Sequence, residues 1–360
     1  MTYLLLILSL LVWPFGQLLA FSWYGLPFTI YLLDLSVFLL TISIFLHRES
    51  GKIVIRDPLF KPLMLFNLLA LLSLLFNLRS LPSGGVVYAL LYLVRLFIYP
   101  SIYFAVKLFP AKKIIRSVIF SFSFFCILGI LQYLFFPDMR YLKQVGFDDH
   151  YFRLIGSLYD PNFSGVLFAG AALVLIYLGH WHVGVSLILF MALTFSRASY
   201  LCFSAGLFYL MVKRKQFSLI LFLAGLLGII WLTPKPFGEG VNLLRTFSIF
   251  SRFDSWSMGV ELFLKKPIFG WGYNTLRSLT GARYQIDNSY LYVLATTGLL
   301  GLLAFINLIR RSFSGLTYSQ RIFIFTILLH SLFNNSFFYI WINYSFWLVL
   351  ALPLRAYKSK

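Results

Sequence analysis

The sequence predicts an all-α polytopic integral membrane protein, and three observations carry that prediction. Hydrophobic residues make up 60% of the 360-residue chain and charged residues only 11%. Uncharged stretches of roughly 20 residues, each long enough to cross a bilayer core, recur along the whole sequence. The mean hydropathy is +0.86, well above that of an ordinary soluble domain. In hydrocarbon every backbone polar group needs an internal partner, so such stretches are expected to be helices. The chain reads as a single membrane domain over 1–360, with no internal repeat, no soluble domain at either end and no low-complexity tail.

Twelve spans are expected, at 3–22, 26–46, 62–78, 86–106, 117–136, 161–179, 183–196, 199–212, 216–232, 287–309, 322–337 and 340–355. The first, MTYLLLILSLLVWPFGQLLA, is as apolar as a signal peptide. No Lys or Arg precedes its long core, so it reads as a retained helix. Orientation follows from the positive-inside rule. With both termini in the cytoplasm, the inner segments hold 17 of the 30 Lys and Arg residues and the outer segments 12, with Arg95 left inside the fourth span. Seven of the 12 lie in the one long outer loop, 233–286, where the rule is weak. Orientation thus explains much of the net charge of +19. The remainder suits anionic lipids or an anionic substrate, and no nucleic-acid partner is expected. Cys126 and Cys202 lie in apolar runs and read as small buried hydrophobes. There is no CxxC and no Cys/His cluster, so neither a metal nor a cofactor is signalled.

Within the long loop, Phe253, Trp256, Val260, Phe263 and Leu264 repeat at helical spacing, with Ser255 and Glu261 opposite. They predict an amphipathic helix of about 14 residues on or near the bilayer surface, ended by Pro267. Arg245 and Arg252 precede its apolar face, with Arg252 at or near the first turn, where a helix N-terminus attracts anions. GWGYN (270–274) follows no strand, so its Gly-x-Gly reads as flexible backbone rather than a dinucleotide site.

Arg197 stands in LTFSRASYL (193–201), between two apolar runs. A guanidinium deep in hydrocarbon costs at least ~2.5 kcal/mol. The topology places Arg197 at an outer reversal between the seventh and eighth spans. There it serves either as an interfacial anchor or as an anion ligand. Asp160 and Asn162 flank Pro161 at the outer start of the sixth span. They suit a helix start with Pro at its first position or hydrogen bonding to sugar. Arg95, near Tyr92 and Tyr99, is a candidate because it is an intramembrane charge. Asp287 and Asn288 precede the tenth span and suit a helix cap. Among the histidines only His150 faces out, where it reads as a surface residue. Asn334 and Asn335, in the eleventh span, are expected to make interhelical hydrogen bonds.

Four stretches, taken together and in order, resemble one family. They are RLIGSLYDPNFSG (153–165), LTFSRASYL, SRFDSWSMGVELFLKKPIFGWGYN (251–274) and DNSYLYVLATTGLLGLL (287–303). The chain resembles the bacterial O-antigen polymerase and O-antigen ligase family (Wzy-type and WaaL-type), membrane glycosyltransferases of the GT-C kind. The resemblance covers 150–303; the first 140 residues and the last 50 match only as hydrophobic spans. It implies glycosyl transfer from an undecaprenyl-diphosphate-linked glycan to an acceptor at the outer face of the cytoplasmic membrane. No metal ion or cofactor is implied, and a chain-length-regulating co-polymerase is left open as a partner. Arg197 and Arg252 match the positions the family uses for the diphosphate. Asp287 stands where the ligase branch usually has His, which favours the polymerase branch and makes Asp287 the candidate base. Asn288, Arg245, Asp160, Asn162 and Arg95 are the candidate substrate-binding residues. A flippase for lipid-linked oligosaccharides is the competing class. It is disfavoured because the chain lacks repeats and gathers its polar residues at one face.

Overall fold

A computed structural model describes residues 1–22, 29–232, 239–279 and 286–352. Parts of the long loop (233–238 and 280–285) and the end of the expected twelfth span lie outside the described residues. The described chain is a bundle of α-helices with one two-stranded hairpin. Six helical segments are long and apolar enough to cross a membrane: Thr2–Leu19, Phe60–Ser80, Ser83–Lys107, Ala111–Phe135, Pro161–Leu178 and Ser289–Ser312. Shorter apolar helices cover Leu32–Leu46, Trp181–Leu193, Phe217–Leu232 and Ile340–Ala351. This is a membrane-embedded, all-α protein.

Several expected spans are broken or shorter than their apolar runs. Helix α1 (Thr2–Val12) gives way to a 3-10 turn at Trp13–Leu19. Strand β1 (Ala20–Ser22) then pairs antiparallel with β2 (Thr29–Tyr31) before α2 (Leu32–Leu46). Pro14 and Gly16 explain the break. Proline removes a backbone donor, and Gly16 adopts φ 55°, ψ −128°, outside the helical region. A short helix α3 (Arg48–Arg56) precedes α4 (Phe60–Asn77). Pro100 divides the fourth expected span into α5 (Ser83–Ile98) and α6 (Ser101–Lys107). The chain continues through α7 (Ala111–Phe135), α8 (Pro161–Leu178), α9 (Trp181–Leu193), α10 (Arg197–Arg214) and α11 (Ile220–Leu232). Helix α12 (Phe247–Lys265) and the single turn α13 (Leu276–Leu279) lie in the long loop. The last three are α14 (Ser289–Ser312), α15 (Tyr318–His330) and α16 (Ile340–Ala351). Helix α15 stops seven residues short of its expected end, so Asn334 and Asn335 lie in a turn rather than in a span. Among the described residues, Asn334 Nδ2 reaches His330 Nε2 (3.3 Å), and Asn335 Oδ1 is buried without a hydrogen-bond partner.

The core is largely aromatic and aliphatic. Helix α8 packs on α9, α10 and α15, while α14 packs on α4 and α12. Trp13, Phe125 and Phe168 form one buried series, with ring centroids 5.3 and 5.4 Å apart. Helix α12 spans 19 residues rather than about 14, because it begins at Phe247. Arg252 therefore sits in its second turn, not at its N-terminus. Of the two residues expected on its polar face, Glu261 is exposed but Ser255 is buried; it is buried together with Gly259, which lies close to Ile286 and Leu291. Phe253, Val260 and Leu264 remain exposed, as suits a helix whose apolar stripe meets lipid.

The segment after α12 is fixed rather than flexible. Helix α14 is interrupted at Gly298 (φ 69°, ψ −169°), and the loop fills the gap. Trp271 N donates to Ala295 O (3.0 Å), Gly272 N to Thr296 O (2.9 Å) and Leu299 N to Pro267 O (2.8 Å). Ser73 Oγ donates to Thr296 O (2.6 Å) from α4. Non-helical backbone is tolerated in a membrane protein where protein covers it. A Cβ on residue 298 would lie 2.1 Å from Ile268 O. Gly298→Ala is therefore expected to lose roughly 2–5 kcal/mol through clash and backbone strain. A lowered thermal midpoint in detergent would report the loss; an unchanged midpoint would show that the loop does not brace α14.

Candidate active site

Four loops meet at one end of the bundle: 136–160, 193–197, 239–247 and 331–339. The DPN and SR stretches lock together there. Asp160 caps α8, its Oδ1 accepting from Asn162 N (2.6 Å) and Phe163 N (3.4 Å). Such a cap is worth about 1 kcal/mol. Asn162 Oδ1 accepts from Ser196 Oγ (2.9 Å), and Ser196 caps α10 through Ser199 N (3.3 Å). Asn162 thus fixes the start of α10, where Arg197 is the first residue.

Phe195 shows how the turn before Arg197 is built. It is fully buried and has φ 49°, an unusual conformation for a bulky residue. The backbone there turns its carbonyls toward two arginines. Arg153 donates through Nε to Thr194 O (2.8 Å) and through Nη2 to Phe195 O (3.3 Å). Arg245 donates through Nη2 to the same Phe195 O (3.3 Å), and through Nη1 to Gly240 O and Asn242 O. Burial first and Arg245 next pull the Arg153 guanidinium down to about 9, with Asp160 opposing the shift. His150 is buried as well, which corrects its expected surface position. Burial first, then Arg153, holds its imidazole neutral down to about 3.

Arg197 braces the approach to α12. Its Nη1 donates to Leu243 O (3.1 Å) and Arg245 O (2.8 Å), and its Nη2 to Ser248 Oγ (2.6 Å). Arg252 is held more lightly. Its Nε donates to Phe333 O (2.9 Å), and its two terminal nitrogens bind no described residue. Arg197 and Arg252 both line a cleft of about 240 Å³ between α10 and α12, whose other walls include Leu201, Ile249, Phe253, Trp256 and Phe333. Leu201 and Phe253 are 56% and 60% exposed, so the cleft has an open apolar flank, with Arg197 and Arg252 in its lining. Burial lowers the Arg252 guanidinium from its usual value; Asp287 opposes the shift and Arg197 adds to it.

Asn288, not Asp287, caps α14. Its Oδ1 accepts from Tyr290 N (2.9 Å) and Leu291 N (3.0 Å), while its Nδ2 donates to Leu332 O (3.0 Å). Asp287 is tied down by its backbone alone: its N–H donates to Ser255 Oγ (2.8 Å) and its carbonyl accepts from Trp256 Nε1 (3.2 Å). Its carboxylate has no hydrogen-bond partner among the described residues. Partial burial raises its pKa, Arg252 pulls it back, and Asp148 adds a further rise. Asp160 is pushed up to about 6, mainly by burial, with its backbone hydrogen bonds opposing.

The structure thus brings together Arg197, Arg252, Asp287, Asn288, Arg245, Asp160 and Asn162. Arg95 stands apart. Its Nε and Nη2 bind Asp34 Oδ1 (3.0 Å) and Oδ2 (2.6 Å), and Nη2 also donates to Thr29 O (2.6 Å). Tyr99 OH donates to Asp34 Oδ1 (2.9 Å), and Tyr31 N to Oδ2 (3.0 Å). This buried ion pair anchors the hairpin to α5, and an intramembrane charge paired in this way is neutralised locally. Sequence reasoning passed over two participants. Arg153 opens the first of the four family-like stretches but was assigned no role. The Phe333 carbonyl carries no sequence signal.

Residues 182–306 match the family model described as O-antigen ligase. For that stretch the match supports the O-antigen polymerase/ligase family, and the stretch includes Arg197, Arg245, Arg252, Asp287 and Asn288. No curated protein matches the chain.

Proposed function

We propose that the protein is a glycosyltransferase that polymerises undecaprenyl-diphosphate-linked repeat units, as for an O-antigen or exopolysaccharide, at the outer face of a bacterial cytoplasmic membrane. The family match supports activity of the O-antigen ligase or polymerase type. The observation that carries the finer reading is the apolar-walled cleft lined by Arg197 and by Arg252, whose terminal nitrogens bind no described residue. Arginine suits a diphosphate because its planar fork binds phosphate oxygens two at a time. Fixed cations matter most where charge develops in a water-poor site.

In the proposed step an acceptor hydroxyl oxygen attacks the anomeric carbon of the donor. The C–O bond to the diphosphate breaks, and the electron pair leaves on undecaprenyl diphosphate, whose growing charge faces Arg252 and Arg197. The hydroxyl proton passes to the Asp287 carboxylate, which has no hydrogen-bond partner among the described residues, feels the charge of Arg252 and is more basic than usual. Asp287 in place of the ligase-type His favours polymerase over ligase. The direct test supplies purified protein with a synthetic polyprenyl-diphosphate repeat unit and resolves the products on a gel. A ladder of increasing length is expected. A single transfer, and only onto a foreign lipid acceptor, would identify a ligase. Movement of the lipid across the bilayer without transfer would replace the enzyme by a flippase.

A further inference from the structure

A second apolar groove opens on a different part of the bundle. It lies between α2, α4 and α5, encloses about 920 Å³ and is lined by residues including Phe38, Ile42, Leu68, Leu71, Val94 and Phe97. That volume is at the upper end of the ~300–1,000 Å³ range of ligand sites. Phe38, Ile42, Leu68, Val94 and Phe97 are all at least 40% exposed, so the groove opens sideways. It shares no lining residue with the Arg197–Arg252 cleft. Helix α14 packs against both α4, which borders this groove, and α12, which borders the cleft.

Three cations crown the same flank where α4 ends and α5 begins. Arg79 follows α4, is exposed, and binds no described residue. Arg277, on α13, is exposed and reaches Tyr88 OH of α5 at 3.4 Å. Lys266 Nζ donates to Asn77 Oδ1 (2.6 Å), the last residue of α4, and sits 4.2 Å from the Trp271 ring centre. No Asp or Glu occurs in residues 58–137 or 262–286, and none of the three cations has a carboxylate partner among the described residues. From Arg79 down α4 to Leu71 is a rise of about 12 Å. Leu75, Phe76, Val87 and Leu90 are exposed along that path. Unneutralised cations above an open apolar groove complement a lipid with a phosphate head and a long hydrocarbon tail.

We infer that this groove and its cations hold a second polyprenyl-diphosphate-linked glycan, the acceptor, while the Arg197–Arg252 cleft holds the donor. The inference rests on the proposed joining of two lipid-linked glycans. Each lipid then has its own opening to the bilayer, and neither tail has to cross the other.

The test is native mass spectrometry of the full-length protein in detergent, titrated with undecaprenyl diphosphate. Wild type is expected to bind two molecules. Arg252→Ala should remove one of them. Arg79→Glu combined with Arg277→Glu should weaken the other at least about tenfold, as should filling the groove with Leu68→Trp and Val94→Trp. The lipid retained in each variant shows that the protein is folded. A single bound lipid, lost with Arg252→Ala, would overturn the acceptor site and leave the proposed function standing. Displacement of the second lipid by equimolar phosphatidylglycerol would also overturn it, marking an ordinary phospholipid site. Wild type that binds no lipid would overturn both readings.

Discussion

Arg252→Ala is expected to slow chain growth at least about 100-fold while leaving the protein folded. Among the described residues only its Nε is bound, to Phe333 O, so removing the side chain takes away one such hydrogen bond, worth about 1 kcal/mol. The terminal nitrogens, which point to no described partner, are the groups available to a diphosphate. Arg252→Lys keeps the charge but not the fork, and should recover part of the rate. Arg197→Ala should behave differently. Its guanidinium holds Leu243 O, Arg245 O and Ser248 Oγ, so both activity and the thermal midpoint should fall. The two variants can be compared by initial rate on the gel ladder and by thermal unfolding in the same detergent. A full rate in Arg252→Ala would remove the diphosphate from this cleft. An unchanged midpoint in Arg197→Ala would show that the 243–248 segment is held by other contacts.

The bundle was legible because hydrophobic length is a strong signal, and capping chemistry placed the starts of α8 and α14 to within a residue or two. The breaks were not legible. Gly298 interrupts a run whose composition reads as continuous helix, and the reason lies elsewhere in the chain. At 298 the freed carbonyls are taken up by residues 271 and 272, and no local pattern reports that pairing. For the same reason a Gly-x-Gly that reads as loose backbone is a braced one. The site was legible as a set of residue types but not as a division of labour. Four arginines gather at the loop end, yet Arg153 and Arg245 point at backbone carbonyls around Phe195. That division depends on the left-handed turn at Phe195, and phenylalanine gives no hint of it. Arg95 read as a candidate because its partner, Asp34, lies 61 residues away in sequence, beyond any local pattern.

Asp287→Asn should separate a chemical role from a structural one. The backbone of residue 287 makes its two bonds, to Ser255 Oγ and from Trp256 Nε1, whatever the side chain. Asn288 supplies the cap of α14. Asparagine is close to aspartate in size and should leave the fold intact, but it cannot take a proton from the acceptor. A rate loss of about 10²–10⁴ is expected, with lipid binding and thermal midpoint little changed. The pH profile gives an independent reading. Burial raises the Asp287 pKa above its ordinary 3.8, and the charged form is the base. Activity should therefore be full above the raised value and fall as pH drops through it, on an acid limb displaced upward from that of an exposed aspartate. Asp160 is also raised, to about 6, and could contribute an acid limb of its own, so the limb must be assigned by substitution. In Asp287→Glu it should persist at reduced rate; in Asp287→Asn the residual activity should lose it. If Asp287→Asn keeps both the rate and the limb, the carboxylate is no base. The chemistry would then rest on the arginines' stabilisation of the leaving diphosphate alone.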